Sequence, residues 1–96
     1  MVNILYMDYM KSVPYLMEAF AEVLKDKREM RGLTQRQMAD AMESVRSMVS
    51  FLENGKNMPS LQTFFVIAEA LQISPNELLN DVLATMQRMR GRKNIS

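Results

Sequence analysis

The sequence predicts an all-α fold. Apolar residues recur at three- and four-residue steps, capping residues stand ahead of those stripes, and no stretch alternates as a half-buried strand would. From about Pro14 to Arg31, the residues Leu16, Phe20, Val23, Leu24 and Met30 mark one helical face. Gly32 should end that helix, with Arg28 and Arg31 in the last turn, where cations suit the helix dipole. Thr34 and Gln37 form a capping box, so a second helix starts at about Gln35. Asn-Gly and Met-Pro in "NGKNMPS" signal a loop, after which Ser60 can cap "LQTFFVIAEALQI". Leu61, Phe64, Phe65, Ile67, Ala68 and Leu71 make this the helix expected to be most buried. In "SPNE", Ser74 caps, Pro75 takes the first helical position and Glu77 follows three residues after the cap. The last helix carries Leu78, Leu79, Val82, Leu83, Met86 and Met89 and should end near Gly91.

The stretch from Gln37 to Lys56 is ambiguous. Met38, Met42, Val45, Val49 and Leu52 would form the stripe of one unbroken helix. A single helix from Gln35 to Asn54 would be a rod of about 30 Å, long for a domain this small. A turn near Glu43 and Ser44 would give two short helices with the same spacing, and periodicity does not separate the two.

Composition narrows the chemistry. With 96 residues, 48% of them apolar, the chain has enough for one small core. There is no Cys and no His, which removes the thiolate nucleophile, the thiolate metal site and the commonest general base. The remaining Asp, Glu, Lys and Tyr form no recognisable catalytic set, so neither enzyme activity, nor a metal, nor a cofactor is expected. No apolar run approaches the roughly 18 residues of a membrane span. The opening stretch fails as a signal peptide because Asp8 and Lys11 interrupt it and no basic region precedes it. Met7, Met10 and Met17 are alternative starts. A cytoplasmic location is expected. The eleven Met read as adaptable packing rather than a binding groove. The net charge is only +1, although "RMRGRK", Arg88 to Lys93, is a basic run that could add weak phosphate attraction.

The segment from Phe20 to Leu79 resembles the helix-turn-helix domain of the phage lambda repressor and Cro-type family, also called the XRE family. The resemblance rests on "LKDKREMRGLTQRQMADAM", "SFLENGKNMPS" and "IAEALQISPNELL" in that order. It implies a turn in the ambiguous stretch and hence five helices. An apolar leader (1–19) would precede the helix-turn-helix domain (20–80), with a helical extension and basic tail (81–96) after it. One departure stands out. Where the family usually has Gly or a small residue this chain has Glu43, and where it has a Ser or Thr cap this chain has Val45. Ser44 is expected to cap one position early.

The resemblance also implies function: a sequence-specific transcriptional regulator, a repressor, that binds double-stranded DNA as a homodimer on a palindromic operator. Helix three would enter the major groove. The base readers would be Arg46, Ser47 and Phe51, with Val45 and Ser50 beside backbone or thymine methyls. Arg46 suits guanine, whose O6 and N7 match the guanidinium fork, and phosphate contact is its plainer alternative. Gln35 would contact phosphate, a position that in some relatives braces a helix-three side chain. Asn54 and Lys56 would contact the backbone, and Arg28 with Glu53 would form a structural salt bridge. Pairing would use Leu79, Val82, Leu83, Met86 and Met89 on the last helix, with Ile4, Leu5, Tyr6, Tyr9 and Tyr15 of the leader packing over it. Two other readings stay open: an antitoxin that also binds a toxin protein, and an adaptor that uses the scaffold for protein contacts.

Overall fold

The computed structural model describes residues 11–95, with side chains described as far as residue 92. The leader residues Ile4, Leu5, Tyr6 and Tyr9 lie outside the described residues. Five helices follow one another: α1 (Leu16–Met30), α2 (Gln35–Ala41), α3 (Arg46–Glu53), α4 (Leu61–Leu71) and α5 (Pro75–Ile95). No strand occurs among the described residues.

Local chemistry accounts for the helix starts. Thr34 accepts a hydrogen bond from the Gln37 amide at 3.0 Å, while Gln37 Oε1 accepts from the Thr34 amide at 2.8 Å, a complete capping box. The Ser60 hydroxyl accepts from the Thr63 amide at 3.1 Å, and Ser74 accepts from Glu77 at 3.0 Å. α3 differs: its N-cap is Val45, which has no side-chain oxygen to offer, and Ser44 does not cap it.

Four helix ends share one device. A residue in the left-handed region turns the chain, and its own amide and the next one close on carbonyls of the last turn. After α1 it is Gly32, at φ 72, and after α3 it is Gly55, at φ 67. After α2 it is Glu43, at φ 55, and after α4 it is Gln72, at φ 59. At Glu43 the closure is complete: its amide donates to Asp40 O at 3.0 Å, and that of Ser44 donates to Ala39 O at 2.9 Å. The ambiguous stretch therefore breaks at Glu43. A non-glycine residue in this region costs about 1 kcal/mol, which the two closing hydrogen bonds offset.

One apolar cluster joins all five helices, with Phe20, Leu24, Met38, Val49, Leu52, Ile67, Leu71, Leu78 and Val82 at its centre. Phe64 is half-buried, its ring 6.1 Å from that of Phe20. Two expectations about burial are corrected. Leu61 and Phe65 sit on the outer side of α4, 74% and 53% exposed, because Phe64, Ile67, Ala68 and Leu71 take the core side of that helix. Val82 and Met86, expected to lie bare for a partner, are 1% and 7% exposed, because α5 folds back along α1 and drives them into the core. Two further details differ: Met30 is 81% exposed, and α5 continues past Gly91 to Ile95.

Ion pairs stitch the α1–α5 seam. Lys27 Nζ lies 2.5 Å from Asp81 and 3.6 Å from Glu77, and Arg88 pairs with Glu22. The hydrogen bond that Lys27 donates to Asp81 raises the Lys27 pKa above its ordinary value against the opposing effect of burial. None of the helices among the described residues is long and apolar enough to cross a membrane.

Candidate nucleic-acid interface

α3 is an eight-residue helix with one wet side and one dry side. Val49 and Leu52 face the core at 0% and 1% exposure. Arg46, Ser47, Phe51 and Asn54 are exposed, and Ser50 is half-buried beside them. The steps from 46 to 47, 50, 51 and 54 place these five on a common helical face. Val45, 63% exposed, precedes it at the N-cap. Lys56 lies exposed just past Gly55. Asn54 is partly engaged, donating from Nδ2 to the Ser50 hydroxyl at 3.2 Å. Arg46 makes no ion pair among the described residues.

A buried network fixes this face to the scaffold. Arg28 Nε donates to Glu53 Oε2 at 2.5 Å, and its Nη2 donates to Glu53 Oε1 at 3.0 Å. The geometry is a bidentate fork between side chains 10% and 2% exposed. The Glu53 hydrogen bond raises the Arg28 pKa, so the guanidinium keeps its charge. Two further links complete the network, of which the first has no signal in the sequence and the second is the brace that the resemblance allows for Gln35. Arg28 Nη1 also donates to Leu33 O at 2.6 Å, tying the α1–α2 turn to the same guanidinium. Gln35 Nε2 donates to Glu53 Oε1 at 3.1 Å, so the residue expected at a phosphate has its amide turned onto α3. The result is one polar knot spanning the end of α1, the start of α2 and the end of α3.

The electrostatics of this face are mild. Arg28 and Glu53 neutralise each other, and Arg31 is bonded to Gln72. Arg36, Arg46 and Lys56 remain exposed, against Asp40 and Glu43 on α2 and its turn. Arg36 did not figure among the expected contacts, since nothing in its spacing distinguishes it from any solvated arginine. Among the described residues no group of three or more acidic, His or Cys side chains could hold a metal ion.

Residues 24–78, more than half of the chain, match the helix-turn-helix family. The chain belongs to the XRE-type helix-turn-helix family. It is 30% identical over 77 residues to the HTH-type transcriptional activator BcrR of Enterococcus faecalis, an alignment that takes in 79% of this chain. Over 56 residues, 58% of this chain, it is 38% identical to the ImmF control region 10 kDa protein of Bacillus phage phi105. The chain spans 38% of the length of the first relative and 62% of the second. Among solved structures, the clp gene regulator ClgR of Corynebacterium glutamicum superposes with a TM-score of 0.80 at 26% identity. That superposition covers 85% of this chain and 87% of ClgR.

Proposed function

We infer that the chain is a sequence-specific DNA-binding transcriptional regulator that acts through α3 in the major groove, as a homodimer on a palindromic site. The observation that carries this is the outer face of α3: Arg46, Ser47, Ser50 and Phe51 stand outward on a helix held rigidly by the Arg28–Glu53–Gln35 knot. A helix this short fits the major groove, where side chains from its first turns reach base edges. Arg46 reads guanine, Phe51 and Val45 offer apolar contact to thymine methyls, and Lys56 with Asn54 contacts phosphate. Gln35 acts mainly as a brace. The relatives' names, an activator, a phage control-region protein and a gene regulator, support regulation of transcription. Only the first of these names gives a direction, activation, and for this chain repression is proposed. The chain is a binding module, not an enzyme, and works in the cytoplasm.

A second reading has one observation in its favour. Asp40 and Glu43 lie exposed on α2 and its turn, and the whole chain carries a net charge of only +1. A protein-binding adaptor, including an antitoxin gripping its toxin, would tolerate such a face. Amide chemical-shift mapping separates the two. Duplex DNA at low salt should perturb Gln35, Val45 to Phe51, Asn54 and Lys56, since even non-specific complexes form at roughly 10⁻⁴ to 10⁻⁶ M. No perturbation, or shifts confined to α4 and α5, would favour the adaptor.

A further inference from the structure

A groove of 380 Å³ lies on the side of the molecule formed by the start of α1, the α3–α4 loop, α4 and α5. Its walls include Leu16, Phe20, Met58, Leu61, Phe65 and Leu79, and no charged side chain among the described residues lines it. Met58, Leu61, Phe65 and Leu79 are 45%, 74%, 53% and 45% exposed, a concentration of bare apolar surface unusual for so small a fold. A wall without charge has nothing to offer a phosphate backbone. It suits an uncharged apolar segment.

We propose that the groove is the seat of this chain's own N-terminal segment, residues 1–10. The attachment point favours it: Leu16, the first residue of α1, is itself a wall of the groove, so only residues 11–15 separate the segment from the rim. Reach is ample, because ten extended residues span up to about 33 Å. Chemistry matches as well. "MVNILYMDYM" carries a single charged side chain, Asp8, amid Val2, Ile4, Leu5, Tyr6, Met7, Tyr9 and Met10. Tethering at the rim gives the segment an effective concentration in the millimolar range, which outcompetes a free apolar peptide or a second copy at ordinary concentrations. The segment then covers Leu61 and Phe65, which the five helices leave exposed.

The chain has no Trp, so Tyr6→Trp in the full chain supplies a single reporter. Its emission should be blue-shifted and shielded from acrylamide, and adding Leu61→Asp or Phe65→Asp should shift it to that of a water-exposed indole. Both groove positions are exposed, so helical circular dichroism should be unchanged. Mixing Tyr6→Trp/Phe65→Asp with excess wild-type chain should leave the emission red-shifted. Water-like emission from Tyr6→Trp alone would overturn the proposal, as would a blue shift surviving both groove variants. A blue shift restored by mixing would assign the groove to another copy's leader and overturn it too. None of these outcomes bears on DNA binding by α3.

Discussion

The guanidinium of Arg28 donates to two different helices' worth of structure: the Glu53 carboxylate on α3 and the Leu33 carbonyl before α2. Removing it strands a carboxylate that is 2% exposed and already committed to Gln35. Arg28→Ala should cost about 3–5 kcal/mol of stability, the cost of one broken side of a buried pair. Thermal or denaturant unfolding checks this, and a wild-type melting temperature would show the pair to be energetically idle. Arg46 stands at the opposite extreme, exposed and held by no ion pair among the described residues. Arg46→Ala should leave stability within about 0.5 kcal/mol while weakening operator binding by about 1–3 kcal/mol. Titration of the operator against altered half-sites reads it out: the loss should concentrate at one base pair per half-site. An equal loss on every sequence would reassign Arg46 to phosphate. The Arg28–Glu53 pairing and the Gln35 brace could be expected from the sequence only through the family resemblance, while the Leu33 link depends on three-dimensional closure that no spacing encodes.

Helix ends and helix faces were unequally legible. The starts of α2, α4 and α5 follow from local oxygen-bearing caps at Thr34, Ser60 and Ser74, which act within three residues and so appear in the sequence. The break between α2 and α3 does not, because the apolar stripe keeps the same step across it and Glu43 is no turn former. Glu43 occupies φ 55, so two substitutions should part company there. Glu43→Gly relieves about 1 kcal/mol of backbone strain against about 0.5–1 kcal/mol of lost chain stiffness, and should be neutral to mildly stabilising. Glu43→Val, branched at Cβ, should destabilise by about 1 kcal/mol or more, as measured by urea unfolding. Burial along α5 was also hidden, since its apolar residues do not say whether the partner helix is α1 or another molecule. The structure divides them: Val82 and Met86 are core, while Leu79 and Leu83 are 45% and 47% exposed. Val82→Glu and Met86→Glu should therefore unfold the domain or cost more than about 3 kcal/mol, not release a folded monomer. Leu83→Glu, outside the leader groove, should keep the fold and shift light scattering toward monomer. A wild-type association state in that variant would remove α5's outer face from the pairing surface.

At the scale of the whole molecule, the structure sets three surfaces on one small core. The α3 face is polar with apolar tips, the α1–α5 seam is laced by Lys27, Asp81, Arg88 and Glu22, and the α4–α5 side is apolar. This separation allows one side to meet DNA while the apolar side takes the leader. One helix-turn-helix reads only a few base pairs, so two copies on adjacent half-sites are needed for useful specificity. The near-neutral charge implies that sequence-independent attraction is weak and that base contacts from α3 must supply discrimination. Selection of binding sites from a random duplex library by the purified chain tests this most directly. The account predicts enrichment of a palindrome with a guanine in each half-site, whose position is relaxed when the selection is repeated with Arg46→Ala. No enriched sequence at low salt, from a chain shown to be folded, would contradict it.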